Sequence, residues 1–105
     1  MKKKKNKRIL PDFSFKNAEG VEYVVVWKEP TNKWNAEGLC DSPELKDPEV
    51  WVNPNLKEKR FLSVLIEEVF HAHAFDKNEK TARKLAANLT KLLIKIGFKI
   101  KNDPR

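Results

Sequence analysis

The sequence predicts an α+β domain: a small antiparallel sheet of about three strands, with two α-helices on one of its faces. Three observations predict it. The β-branched and aromatic runs all lie before residue 53. Apolar residues recur at helical spacing only after residue 55. The two helical segments are joined by a link of a few residues, so the second must fold back beside the first. Strands followed by helices, rather than alternating with them, segregate into a sheet and a helical layer. A chain of 105 residues with 40% hydrophobic content builds one domain with a modest core. The expected boundaries are a basic tail over residues 1–12 and a single domain over 13–101.

Each element has its own signal. Phe13 and Phe15 suggest a short first strand, closed by a turn over Asn17–Gly20. Val21–Trp27 is β-branched and aromatic and reads as a strand. Lys28–Lys33 contains Pro30 and Asn32 and reads as a turn; Trp34–Cys40 follows as an irregular strand. Asp41–Pro48 is a loop by its Pro, Ser and Asp content. In Glu49–Val52, Val50 and Val52 alternate with Trp51, and Asn53-Pro54 ends that strand. The first helix is expected from Asn55, with Asn55 and Glu58 at capping-box spacing, and runs to about Ala74. Phe61, Leu62, Leu65, Ile66, Val69 and Phe70 give its period. The second helix starts near Asp76 or Asn78. Ala82, Leu85, Ala86, Leu89, Leu92 and Leu93, continued by Ile96, form its apolar stripe, with the lysines largely off it. Gly97 suits the position after the last turn, and Phe98–Ile100 suggests a further short strand.

Charge and cysteine content narrow the function classes. The formal net charge is +7. Six of the 22 basic residues fall in Lys2–Arg8, which leaves 16 basic against 15 acidic residues elsewhere. The folded body is therefore close to neutral. The tail is expected to be solvated and to offer weak, salt-sensitive contact with nucleic acid or other polyanions. Cys40 is the only cysteine, so no internal disulfide forms, which fits a reducing compartment. No apolar run follows the N-terminal lysines and none reaches about 18 residues. Neither a signal peptide nor a membrane span is expected, and the expected location is cytoplasmic.

The chemistry concentrates in Leu65-Ile66-Glu67-Glu68-Val69-Phe70-His71. Glu67 and His71 are four residues apart, about 40° around a helix and one turn above each other. This has the spacing of H-E-x-x-H, in which two His hold zinc and the Glu works on bound water, but Glu67 occupies the first ligand position. Glu79, in the first turn of the next helix, is the best-placed third ligand; its alternative is a capping-box partner for Asp76. The helical period puts Glu67 and Glu68 near the apolar face, where a carboxylate needs a partner or a proton. His73 points about 200° away from His71 and is read as a surface or packing residue. Asp76 is read as a cap. Trp27, Trp34 and Trp51 are read as core or sheet residues. Cys40 is read as packed, since nothing marks it as a nucleophile.

The run Leu62–Asp76 resembles the active-site helix of small zincin-like proteins encoded by bacteriophages and grouped with the minigluzincins. Members typically read L-x-x-L-I-H-E-x-x-H-A followed by an aromatic residue and Asp. Here Asn78-Glu79 opens the next helix and Ile96-Gly97-Phe98 closes it at the matching distance. Gly38–Pro43 followed by Val50–Asn53 is also similar to the family's G-x-C-D strand and edge-strand pattern. The resemblance covers roughly residues 21–100. It implies that His71 is a zinc ligand, Glu68 the general base, and Glu79 the downstream acidic ligand. Glu67 departs from the pattern. The resemblance further implies a three-stranded antiparallel sheet against two helices, and an edge strand to which an extended peptide or protein segment can add.

Three readings follow. In the first, the chain is a degenerate zincin-like protein, catalytically weak or inactive. It acts as a binding or structural module in the cytoplasm of an infected bacterium. In the second, it is an active metal-dependent hydrolase with Glu67, His71 and Glu79 as ligands and Glu68 as base. The third is a small nucleic-acid-binding protein working through Lys2–Arg8. Two carboxylates and one His form a hard ligand set. The expected cofactor is weakly held zinc or another divalent metal such as manganese or iron, or none.

Overall fold

The computed structural model describes residues 8–30 and 37–101. The chain is α+β, as its pattern predicts, but the sheet has four strands rather than three and is mixed rather than antiparallel. The strands are β1 (Phe13–Lys16), β2 (Glu22–Val26), β3 (Gly38–Cys40) and β4 (Glu49–Val52), followed by α1 (Glu58–His73) and α2 (Glu79–Lys95). The spatial order is β1-β2-β4-β3. β1 pairs antiparallel with β2, and β3 antiparallel with β4. β2 and β4 run parallel, with Val25 beside Val50. The long excursion through β3 allows this, because a parallel pair needs a crossover rather than a hairpin.

Alternation along the strands selects the core. Tyr23, Val25, Val50 and Val52 point inward and are buried; Val24 faces out. Phe61, Val64 and Ala72 of α1 cover them. The hydroxyl of Tyr23 finds its partner by donating to the Asp41 carbonyl at 3.0 Å. Asp41 also fixes the turn into β4, its carboxylate accepting from the Glu49 amide at 2.9 Å. Asn17 ties the first hairpin to the helix layer. Its side chain donates to the Ala72 carbonyl at 3.0 Å and accepts from the Glu19 and Val21 amides at 2.9 Å.

Several expectations change at the element ends. α1 begins after Lys57, which makes no side-chain cap, so Asn55 is not its cap. Glu58 instead accepts from the Ile100 amide at 2.9 Å, anchoring residues 98–100, which form no strand. The cap of α2 is Asn78, not Asp76; its side chain accepts from the Thr81 amide at 2.8 Å. Gly97 ends α2 at φ 101°, with the Gly97 amide donating to Ile94 and the Phe98 amide to Leu93. That pair of bonds closes the last turn. The basic tail does not extend to residue 12 as a detached segment. Arg8 is buried, with its guanidinium 4.5 Å from the Phe61 ring centre and donating to the Pro54 carbonyl. Residues 1–7, and Trp34 within 31–36, lie outside the described residues. Trp51 is a half-buried residue of β4; Trp27, also half-buried, follows the end of β2 and tilts against Phe61. Among the described residues no helix is long and apolar enough to cross a membrane.

The largest difference lies in α2. Of its predicted stripe, only Ala82 and Ala86 are buried, together with Thr90, while Leu85, Leu89, Leu92 and Ile96 are exposed. α2 packs mainly on α1, and small residues at the contact bring the two helices close.

Candidate metal centre

Two consecutive acids on α1 face different walls because about 100° separates neighbours on a helix. Glu67 lies one turn before His71 on the side that meets α2, in line with buried Ser63. Glu68 turns toward the sheet and reaches the backbone of β3. Both carboxyls are buried, as is the His71 ring. The link after His73 is short, and Asn78 starts α2 immediately, so Glu79 in its first turn returns to the end of α1.

The result is a convergence of donor atoms. One ligand atom from each of Glu67, His71 and Glu79 lies within 4.8 Å of the other two. His71 Nε2 is 3.1 Å from Glu79 Oε1, an ion-pair distance. That approach lacks hydrogen-bond alignment, and among the described residues the buried Nε2 has no hydrogen-bond partner. An orphaned imidazole nitrogen between two carboxylates fits a divalent cation, whose bonds to such donors are ~2.0–2.2 Å. The spacing-based choice of these three residues therefore holds geometrically, and the Asp76 capping-box alternative for Glu79 does not. His73 stands apart, stacked on Phe15 at 5.8 Å between ring centres.

Electrostatics at the site resist ionisation. Burial, then the neighbouring carboxyls of Glu67 and Glu79, push the Glu68 carboxyl up to about 8. Burial and the Glu79 carboxyl raise that of Glu67, while Arg83 and His71 offset part of the rise. Arg83 Nη2 lies 3.6 Å from Glu79 Oε2 and thus holds the oxygen turned away from His71. A cation among these groups would relieve the crowding of negative charge.

Two clefts open on either side of the triad. One, of about 190 Å³, is lined by Glu37, Gly38, Arg60, Val64, Glu67 and Arg83 among others. Arg60 closes its rim by donating from Nε to Glu37 at 2.8 Å and from Nη2 to the same oxygen. The other runs along β3, where Leu39, Cys40, Glu68, His71 and Phe75 line it. β3 is an edge strand and forms one wall of both. Burial and the nearby Glu68 push the Cys40 thiol up to about 12, so it stays protonated and packed, as expected.

Gly38 is the site residue that spacing alone misses. A methyl group built there would stand 2.6 Å from Val64 Cγ1 and 2.9 Å from Glu68 Cγ and Oε2. Only glycine lets β3 approach α1 this closely. Its signal in the sequence is a glycine inside the strand read over Trp34–Cys40, a common mark of close backbone contact. The chain matches no family model, and neither a curated protein nor a solved structure gives a significant match.

Proposed function

We propose that the chain is a zincin-like domain that keeps a divalent-metal site and has lost efficient peptide hydrolysis. Glu67, His71 and Glu79 hold the ion, and the domain serves as a metal-stabilised binding module. The observation that supports this most is the convergence of these three side chains on the orphaned His71 nitrogen. The order of motifs, from Gly38 through Leu62–Asp76 to Gly97, supports the likeness to phage minigluzincins.

A divalent ion supplies Lewis acidity, which two carboxylates and one imidazole leave weaker than a set richer in imidazole. Glu68 stands beside the ligands, where a general base would act. With its carboxyl raised to about 8 it holds its proton at neutral pH in the metal-free protein and accepts none. Arg83 keeps one Glu79 oxygen engaged and leaves the other toward His71. The exposed edge of β3, running past the site, can pair with an extended peptide segment.

The position of Glu68 also favours a second reading, an active hydrolase in which the ion lowers that carboxyl into working range. Binding of nucleic acid through Lys2–Arg8 is less supported, because Arg8 is buried against Phe61. Elemental analysis of protein purified without an affinity tag tests the proposal. About one ion per chain should survive dialysis, disappear in Glu67→Ala and His71→Ala, and be accompanied by negligible peptide hydrolysis. No retained metal after zinc loading would refute the site. Robust hydrolysis lost in Glu68→Gln would establish the second reading instead.

A further inference from the structure

The helical layer carries an apolar face that the fold leaves uncovered. Ala82, Ala86 and Thr90 mark the side of α2 that meets α1. At roughly 100° per residue, Leu85, Leu89, Leu92 and Ile96 fall in a band about 60° wide, about 90° around from that stripe. They are 43%, 37%, 54% and 64% exposed. On α1, Val64, Glu68 and Ala72 face the sheet, and Leu62, Ile66 and Phe70 lie on the opposite side, only half-buried. The helices run antiparallel, since Lys57 before α1 and Lys91 near the end of α2 line one cleft. With this packing both apolar bands lie on the side away from the sheet. A helical layer ordinarily presents its polar residues there.

The size and spacing of the face identify its occupant. The exposed parts of these side chains total on the order of 500 Å² per chain, as much as the largest patch on a typical monomer. With the stems that flank them this approaches the ~800 Å² that one partner contributes to a standard interface. Leu85, Leu89, Leu92 and Ile96 are spaced by four, three and four residues, the repeat of a helix–helix seam. We infer that this face is the interface of a homodimer, in which α2 of two copies pairs antiparallel and each α1 flanks it in a four-helix layer. The charges permit this. The residues bordering the seam on its open side are Thr81, Asn88 and Lys95, and an antiparallel pair sets Asn88 of one copy beside Lys95 of the other. Lys84 and Lys91 lie roughly 110–130° from the band and stay in water. An anionic bilayer would use cations close on both borders of the band, but here one border is α1. This face shares no residue with the metal site.

Sedimentation equilibrium of the tag-free full chain, from low to high micromolar concentration, tests it. A dimer is expected, and its dissociation constant should fall as salt rises, because two chains of net charge +7 repel at low ionic strength. Leu89→Glu and Leu92→Glu should each raise that constant at least about 30-fold while leaving helicity unchanged by circular dichroism. Ile96→Glu, at the exposed end of α2, is a third variant with little bearing on the fold. A chain monomeric throughout overturns the inference. So does a dimer that survives all three substitutions, or a monomer that binds phosphatidylglycerol vesicles at low salt and releases them at high salt.

Discussion

In the metal-free protein, Glu68→Gln should stabilise the fold at pH 9 and change it little at pH 5. The folded Glu68 carboxyl titrates at about 8, against 4.5 for an unperturbed one. Between those values the folded chain holds a proton that the unfolded chain has released. Stability is therefore greatest below the unfolded value and is lost as pH rises through the folded one. At about 1.36 kcal/mol per pH unit, the gap corresponds to roughly 4–5 kcal/mol at full ionisation. Water drawn into the clefts beside Glu68 screens part of this, so a loss of about 2–4 kcal/mol between pH 5 and pH 9 is expected. Glutamine keeps the shape and removes the titration. Chemical denaturation with EDTA present, at pH 5, 7 and 9, measures the difference between wild type and variant. Glu67 is raised in the same direction and leaves a smaller slope in the variant. Adding zinc should reverse the trend, because ionised carboxylates bind the ion. A difference between the two proteins that does not change from pH 5 to pH 9 would refute the assignment of Glu68 as a buried, proton-holding group.

Other substitutions probe the frame around the site. Gly38→Ala should cost about 1–3 kcal/mol, because the added methyl meets Val64 and Glu68 at 2.6 and 2.9 Å; a denaturation midpoint equal to wild type would show that β3 is not so close to α1. Asn17→Ala removes one bond from the β1–β2 turn to the Ala72 carbonyl near the end of α1 and two that brace the turn itself, and should destabilise by roughly 2–4 kcal/mol, read from the same midpoints. Glu67→His rebuilds H-E-x-x-H and should tighten zinc binding by about tenfold or more in competition with a chelating dye; unchanged affinity would mean that residue 67 does not reach the ion.

Much of the fold was legible because local chemistry decided it. The β-branched run at Val24–Val26 and the alternation at Val50–Val52 reported strands directly. Gly97 marked the end of α2, while its start was legible only to within Asp76 or Asn78, because both residue types cap helices and packing on α1 selects Asn78. The parallel pairing of β2 with β4 was not legible, since it depends on where a long excursion returns rather than on any local pattern. The inward face of α2 was misread for a physical reason. Periodicity locates an apolar stripe, but close packing against Ser63 and Glu67 favours Ala82, Ala86 and Thr90 over the leucines beside them. Asn55 and Glu58 had the spacing of a cap, and the tertiary bond from Glu58 to Ile100 overrode it.

The candidate site divides in the same way. Glu67 and His71 were legible from helical geometry alone, and Glu79 followed from the shortness of the link. The orphaned Nε2 of His71, the hold of Arg83 on Glu79 and the clearance at Gly38 all involve atoms brought together by tertiary packing. No spacing rule carries them.

In the proposed function Glu67, His71 and Glu79 close on a single divalent ion. Calorimetric titration of EDTA-stripped, tag-free protein with zinc and with manganese tests it most directly, using Glu79→Ala as the comparison. Saturable binding of about one equivalent in the wild type, largely abolished in the variant, is the predicted result. Full binding after loss of the Glu79 carboxylate, or no heat of binding from either metal, would contradict it.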